Sequence, residues 1–382
     1  MQPAHSDTLA SSAHSDSWYV IGDTSGIASP ALLIYPERVQ HNIQTLLAMA
    51  GGNPVRLRPH VKTSKAAEPI RLLLNAGITT FKAATIAEAE LLAMEKAPDL
   101  LLAYQPVGPA ITRLLALEKK YPATRFSCLV DNPALVPELA AAAKNAGTKL
   151  ELWIDLNVGM NRTGIDVAGS LPLYETICRE ETLLFRGLHA YDGHLHDPSL
   201  ETRKLAVEAA FRPVDELRAQ LTVRENRAIE LIAGGTPSFP IHLQHEDRVC
   251  SPGTFVYWDQ NYLSYTEQPF QPAALLLCRV VSFPTATRVC VDLGHKAVAA
   301  ENDISRRVYF LNAPQLMPVG QSEEHLVLEA GEGHAFKIGD ILYGLPWHVC
   351  PTVALHESAI TIEQQHPTGS WVTVARKRKI SI

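Results

Sequence analysis

A short basic stretch contains the first residues whose types and spacing can do chemistry. It reads Arg58-Pro59-His60-Val61-Lys62-Thr63-Ser64-Lys65. An apolar run precedes it and a helical pattern follows it, which predicts Lys62 at the end of a strand. A lysine that is desolvated near other cations loses its charge more easily and can attack a carbonyl, and Arg58, His60 and Lys65 are candidates for those neighbours. The alternative interpretation is an exposed basic loop.

A second titratable cluster reads Tyr191-Asp192-Gly193-His194-Leu195-His196. A single histidine is usually structural, but two imidazoles beside a tyrosine and a carboxylate favour a proton-transfer group that works near neutral pH. Either His196 or His194 can be that base, and we favour His196.

A third candidate is the pair His348 and Cys350. In an extended strand, residues two apart point to the same side, so we expect the imidazole and the thiol to face one ligand. Together they suit Zn²⁺. Two ligands are too few for a closed structural site, so water or substrate would complete the coordination. The same spacing is common by chance, which leaves an ordinary strand as the alternative.

The elements that position these residues alternate between short apolar runs and helical patterns from residue 36 to 268. Such alternation predicts an α/β fold with parallel strands, and eight repeats favour a closed (β/α)8 TIM barrel. Polar residues follow nearly every run, as expected where strand ends build a site. The predicted strands are Val55–Lys62, Thr79–Ala84, Leu100–Gln105, Arg125–Asp131, Lys149–Leu156, Leu184–Tyr191, Ala228–Gly234 and Ile241–Glu246.

The pattern changes after residue 268. Residues 269–382 contain short runs rich in Val, Leu and Ile with turn residues between them, which predicts a β domain of sandwich or open-barrel type. We expect residues 21–35, with a strand at Ala31–Tyr35, to join it. Residues 1–20 are rich in Ser, His, Asp and Ala and predict a disordered extension.

Composition excludes several classes of protein. The 382 residues are 46% hydrophobic and 19% charged, with a net charge of −6, which is typical of a soluble globular chain without the basic surface of nucleic-acid binders. No apolar stretch is long enough to span a membrane. The six cysteines form no C-x-x-C pair, so we expect reduced thiols and a cytoplasmic location.

The stretch around Lys62 resembles the lysine motif of the D-threonine aldolase and D-serine dehydratase family. These are alanine-racemase-like, fold-type III enzymes that use pyridoxal 5'-phosphate (PLP), and the resemblance extends from about Ala31 to the C-terminus. It implies that Lys62 forms a Schiff base with PLP. It also implies a homodimer and a small D-amino acid as the substrate.

The same resemblance assigns further cofactor contacts. Gly235 and Thr236, in a glycine-rich run after the seventh predicted strand, match the phosphate-binding segment, and bare amides with a hydroxyl suit a phosphate. Arg162 matches the arginine that contacts the phenolic oxygen of PLP, and Tyr191 the tyrosine beside the cofactor. Tyr257 lies in the segment that resembles the end of the barrel, where it either contacts the phosphate or packs.

The resemblance leaves the reaction open. The His348-x-Cys350 spacing resembles the metal pair of the D-serine dehydratases, which implies a divalent metal (Zn, Mn or Mg), whereas the aldolases show H-x-D. The aldolases also place their base six residues after the tyrosine, where this chain has Asp197. We expect a lyase of D-3-hydroxy amino acids, with retro-aldol cleavage of D-threonine-like substrates favoured over dehydration of D-serine or D-threo-3-hydroxyaspartate. Racemisation and a non-catalytic PLP carrier are further alternatives.

Overall fold

The computed structural model of the protein describes residues 17–382. Most of the predicted extension at 1–20 therefore lies outside the described residues. The part that is described is folded: the ring of Trp18 packs edge-on against Tyr35 with centroids 5.0 Å apart, and the guanidinium of Arg38 lies 3.7 Å from the centroid of Trp18. The prediction of disorder is thus wrong for residues 17 to 20.

Nine helices lie within residues 17–382. None of these helices combines the length and the hydropathy needed to cross a bilayer. They are α1 (Pro36–Met49), α2 (Ala67–Asn75), α3 (Ile86–Met94), α4 (Pro109–Lys120), α5 (Val136–Ala146), α6 (Val167–Cys178), α7 (Leu200–Glu225), α8 (Phe239–His242) and α9 (Val349–Leu355).

The first strand, β1 (Ala31–Ile34), belongs to the second layer of the molecule, and the next seven strands form a curled parallel sheet. Their order in space is their order in the chain, as expected when a helix covers each crossover. These strands are β2 (Thr80–Ala83), β3 (Asp99–Leu102), β4 (Arg125–Val130), β5 (Leu150–Leu156), β6 (Leu183–Ala190), β7 (Glu230–Ala233) and β8 (Arg248–Cys250).

The segment that leads to Lys62 joins the two edges of this sheet. Leu57 forms a parallel bridge with Cys250 on one side, and His60 forms one with Lys82 on the other. Residues 57–60 therefore occupy the place of the first strand of a barrel, although two single bridges replace the predicted strand Val55–Lys62. The closed arrangement puts Lys62 at the carboxyl end of the barrel.

The amino end of the barrel is packed around Trp153. Arg58 and Arg186 lie 5.5 and 5.2 Å from the centre of its ring, and both pair with Asp99. Arg58 is thus committed to an ion pair at the bottom of the barrel, and Lys65 pairs with the buried Glu88. Of the three neighbours proposed for Lys62, these two are engaged elsewhere.

The prediction of an eighth strand at Ile241–Glu246 is wrong. Residues 239–242 form α8, and the last barrel strand, β8, follows it. Pro240 lies in the first turn of α8, where its fixed φ favours a helix and its missing amide costs nothing. His242 in this helix is fully buried, and its Nε2 lies 2.8 Å from the carboxylate of Asp192, which satisfies the buried ring.

The second layer is a mostly antiparallel sheet. Its further strands are β9 (Ala274–Thr285), β10 (Arg288–Val291), β11 (Val308–Phe310), β12 (Met317–Gln321), β13 (Leu326–Glu329), β14 (Ile341–Pro346), β15 (Ser358–Glu363) and β16 (His366–Val372). In this sheet β1 pairs with β9 in the antiparallel sense and with β15 in the parallel sense. One path through the sheet runs β12-β13-β10-β9-β1-β15-β16, and β14 joins β11 to β9.

The extended strand expected around His348 and Cys350 is also wrong. β14 ends at Pro346, His348 occupies the N-cap position of α9 with φ −137° and ψ 100°, and Cys350 lies in the first turn. Pro351 suits this turn, because the first amides of a helix need no intrahelical acceptor. The buried carboxylate of Asp259 accepts the Val349 amide at 3.0 Å and so holds this helix end against the barrel.

Candidate active site

A cavity of about 620 Å³ lies between the carboxyl end of the barrel and the β domain. It brings together eight of the ten residues selected from the sequence, and His194 and Tyr257 are outside its lining. The eight are Lys62, Arg162, Tyr191, His196, Gly235, Thr236, His348 and Cys350.

Three cations surround the ring of Tyr191. The Lys62 and Lys82 Nζ atoms lie 5.6 and 5.7 Å from its centroid, and the guanidinium carbon of Arg162 lies 5.0 Å from it. Bare glycine backbone permits this packing, because a Cβ on Gly193 would come within 2.3 Å of the Tyr191 Oη. Tyr191 therefore spaces like charges that would otherwise repel one another at close range.

The loop that carries Arg162 is held by side-chain hydrogen bonds. Asn157 Oδ1 accepts the amides of Gly159 and Asn161, at 3.0 and 3.1 Å, and Asp131 Oδ2 accepts the amide of Gly164 at 2.8 Å. The loop thus presents Arg162 to the cavity from a fixed backbone.

The glycine-rich segment after β7 meets the segment after β8 at one hydroxyl. Thr236 Oγ1 accepts the amides of Gly253 and Thr254, each at 3.1 Å, and Gly235 donates its amide to Ser238 Oγ at 3.3 Å. The amides of Gly235, Gly253 and Thr254 and the hydroxyl of Thr236 therefore lie on one wall of the cavity. Their chemistry suits a phosphate, which would compete for these donors.

Lys82 is a functional candidate that the sequence reading missed. Its Nζ lies 3.3 Å from His189 Nε2, and His189 Nδ1 lies 2.6 Å from Asp155 Oδ1. Because a carboxylate only accepts, Nδ1 carries the proton and Nε2 accepts from Lys82. Burial, followed by the charge of Lys62, lowers the pKa of Lys82 to about 7. A charged residue inside the apolar run Thr79–Ala84 was the available signal.

The imidazole of His60 lies beneath the lysine loop. Its Nδ1 accepts the Lys62 amide at 3.3 Å. Burial, and next the charges of Lys62 and Lys82, lower the pKa of His60 well below its usual value. His60 is therefore a neutral neighbour of the cationic cluster and adds no charge to it.

His348 and Cys350 form a polarised pair on the β-domain side. Burial raises the pKa of the Cys350 thiol, but the hydrogen bond and charge of His348, the Lys62 charge and the Thr63 hydroxyl together bring it below its usual value. Burial lowers the pKa of His348, yet Cys350 and Glu301 outweigh it and raise that pKa to about 9. The two shifts have opposite directions, and both favour the charged forms of His348 and Cys350.

Glu301 is a second residue that the sequence did not reveal. It accepts from His348 Nδ1 at 2.5 Å, which leaves Nε2 available to a ligand. A carboxylate on the far nitrogen is the usual partner of a metal-binding histidine. Within residues 17–382 no third His, Cys, Asp or Glu completes a metal-binding group, so water or substrate would supply the remaining ligands.

The two candidate bases occupy different environments. His196 is exposed on the cavity wall, and its carbonyl accepts from the Tyr265 hydroxyl at 2.9 Å. His194 lies against the Arg162 loop, where a Cβ built on Gly159 would come within 2.9 Å of its Nε2. Only His196 faces the cavity.

Tyr257, and polar residues that follow the barrel strands, serve the fold. Tyr257 is buried outside the cavity, where burial raises the pKa of its phenol. Thr85 caps α3 by accepting the Glu88 amide, and Gln105 Oε1 accepts the Asp131 amide. Some polar residues at strand ends thus position loops and helices and do not line the cavity.

Two family models cover most of the chain. Residues 34–261 match the alanine racemase N-terminal domain, and residues 273–362 match the putative serine dehydratase domain. The first match spans the barrel and the second spans most of the β domain.

Individual relatives agree with these matches. The chain is 26% identical over 369 residues to the 3-hydroxy-D-aspartate aldolase of Paracoccus denitrificans (strain Pd 1222), covering 93% of each chain. It is 26% identical over 358 residues to the D-threonine aldolase of an Arthrobacter species, covering 92% of this chain and 93% of that one. The structure of D-threonine aldolase from Filomicrobium marinum superposes with a TM-score of 0.81 at 24% identity, over 92% and 95% of the two chains.

Replacing Lys82 should change the pH dependence of stability. The pKa of Lys82 is about 7 in the folded protein, against its usual value of 10.5. Below pH 7 the amine is therefore protonated in both the folded and the unfolded protein, and the folded protein is destabilised by the buried charge. Above pH 7 only the folded state loses the proton, so the wild type gains stability. Lys82→Met should therefore raise the melting temperature of cofactor-free protein at pH 6, by about 2 °C or more, and less at pH 9.

Scanning calorimetry from pH 6 to pH 9 measures this difference. Lys119→Met, on the exposed face of α4, is the matched control and should give no pH-dependent difference. A Lys82→Met effect that stays constant across this range would contradict the buried-amine assignment.

Proposed function

Because the chain belongs to the family of the alanine racemase N-terminal domain, and its relatives are lyases, we propose that it is a PLP-dependent lyase that cleaves the Cα–Cβ bond of D-3-hydroxy amino acids. The favoured reaction is retro-aldol cleavage to glycine and an aldehyde. Dehydration of the same substrates is the second candidate.

One contact carries this proposal. Thr63, the residue after Lys62, lies with its Oγ1 3.1 Å from Cys350 Sγ. The lysine that would hold the cofactor and the pair that would hold a metal therefore face one substrate-sized space. A substrate amine at Lys62 would place its β-hydroxyl within the reach of His348 and Cys350.

The barrel side of the cavity fits PLP. Lys62 would attach it, the amides and hydroxyls at Gly235 and Thr236 would hold its phosphate, and Arg162 would hold its phenolic oxygen. Tyr191 would lie beside its ring. When bound, PLP supplies an electron sink for the bond that breaks.

The β-domain side fits a divalent metal. Cys350 offers its sulfur, whose pKa His348 and Lys62 lower, and His348 would offer Nε2 once that nitrogen loses its proton, because Nδ1 is paired with Glu301. A soft thiolate beside imidazole favours Zn²⁺ over Mn²⁺ or Mg²⁺. A metal there would supply Lewis acidity at the β-hydroxyl of the substrate.

His196 is the proposed base. It faces the cavity from the loop after β6, and it can accept the hydroxyl proton directly or through water. The dehydratase route needs a base at Cα instead, and a free Lys62 amine can serve there. Cys350 and the serine dehydratase match over residues 273–362 favour this second candidate.

Product analysis separates the two reactions. Purified protein supplied with PLP and Zn²⁺ should convert D-threonine to glycine and acetaldehyde, measured by chromatography and an alcohol dehydrogenase assay. Lys62→Ala should lose nearly all turnover, because cofactor attachment needs that amine. Pyruvate and ammonia from D-serine, without glycine from D-threonine, would decide for the dehydratase.

The attachment site gives a check that does not depend on activity. Borohydride reduction followed by peptide mass spectrometry should locate PLP on Lys62. Lys82 is an internal control, since it is the other lysine that lines the cavity among residues 17–382. An adduct on Lys82, or none, would refute the assignment of Lys62.

His196→Ala should lower kcat for aldol cleavage by about 10²- to 10⁴-fold, because it removes the acceptor of the hydroxyl proton. Exchange of the glycine α-proton, followed by NMR in D2O, should continue, since it needs no base at the hydroxyl. His194→Ala is the matched control and should stay within a few-fold of the wild type. Equal loss of cleavage and exchange in His196→Ala would show that His196 has another role.

A further inference from the structure

The cations that line the cavity fall into two groups. Lys62, Lys82 and Arg162 surround the Tyr191 ring on the barrel side. Arg306 lies apart from them, in a 3-10 turn of the β domain (Ile304–Arg306), and its guanidinium carbon lies 5.8 Å from the centre of the Trp347 ring. The two separate groups of cations offer binding positions for two different anionic groups of a cofactor or substrate.

Arg306 is available to a ligand. Among residues 17–382 no carboxylate pairs with its guanidinium, whereas the next residue, Arg307, donates to the Asn302 carbonyl and to Gln321. The aromatic face of Trp347 lies within cation–π distance of the guanidinium and favours this position of the side chain. A planar guanidinium held in this way matches a carboxylate with two parallel hydrogen bonds.

A series of contacts connects the lysine loop to the β-domain residues that line the cavity. Thr63 joins the lysine loop to Cys350 at 3.1 Å, and His348 continues to Glu301 at 2.5 Å. Glu301 begins the segment that ends in Arg306, and the Trp347 beside Arg306 directly precedes His348. Arg306 therefore lies on the β-domain side of the cavity, beside the residue that leads into His348.

On the proposed function, Cα of the substrate lies near Lys62 and its β-hydroxyl near His348 and Cys350, so the β-substituent extends toward Arg306. We propose that Arg306 binds a carboxylate on this substituent and makes the enzyme selective for D-3-hydroxy dicarboxylic amino acids of the 3-hydroxyaspartate type. Cleavage breaks the Cα–Cβ bond, and its electron pair stays on Cα, which takes up a proton. The β-carbon becomes the carbonyl of glyoxylate as the hydroxyl proton leaves.

The test compares kcat/KM for D-3-hydroxyaspartate and D-threonine in holoenzyme. R306Q should lose about 10- to 100-fold on the dicarboxylate, the expected effect of one charged hydrogen-bond pair, and should stay within about two-fold on D-threonine. R306K should retain part of the preference. The matched control is R212Q, on the exposed face of α7, which should change neither substrate.

Two outcomes of this comparison would overturn the inference. Equal loss on both substrates means that Arg306 binds the α-carboxylate, which the two share. No loss on either means that it binds neither.

A binding measurement keeps the inference separate from the proposed reaction. D-aspartate and D-alanine lack the β-hydroxyl and differ by one carboxylate, so calorimetry on the holoenzyme measures the preference without turnover. Wild type should bind D-aspartate about 10-fold or more tightly than D-alanine, and R306Q should bind them equally. A wild type without this preference overturns the inference, whereas failure to cleave any substrate overturns only the proposed function.

Discussion

The site depends on the contact that seats the first turn of α9 on the barrel. The Asp259 carboxylate accepts the Val349 amide, and the Thr63 and Thr254 hydroxyls lie 3.1 and 3.6 Å from Cys350 Sγ. The bond from the Val349 amide satisfies a donor at a helix terminus that packs against another domain, and an unsatisfied terminus would cost stability there. The two hydroxyls hold the Cys350 side chain beside the lysine loop. The cavity exists because two domains meet at this helix end.

Burial of like charges sets the chemistry of the barrel side. Lys62, Lys82 and Arg162 converge on one aromatic ring, and the buried His189–Asp155 pair lies beside Lys82. Burial and the charge of Lys62 lower the pKa of Lys82 to about 7, and a bound phosphate and phenolate would reverse part of that shift. The barrel side of the cavity thus presents a cluster of cations that suits an anionic ligand. The β-domain side is different, because there the pKa shifts of His348 and Cys350 favour charges of opposite sign.

Sequence alone predicted the two layers and eight of the residues that line the cavity, because strand periodicity and the Lys62, Arg162 and His348-x-Cys350 motifs are local signals. It failed where a three-dimensional contact decides the outcome. The run at 241–246 is apolar enough for a strand, but Pro240 starts a helix there and Asp192 pairs with its buried His242. Glu301 is 47 residues from His348, so no spacing could have linked them.

The central claim is that Lys62 and the His348–Cys350 pair act on the same substrate molecule. Turnover of D-threonine and of D-3-hydroxyaspartate by protein stripped of both PLP and metal tests it directly, with PLP alone, Zn²⁺ alone or both restored, and with circular dichroism to confirm that each sample is folded. Turnover should return only when both are present. Full turnover with PLP alone after exhaustive chelation would contradict the claim.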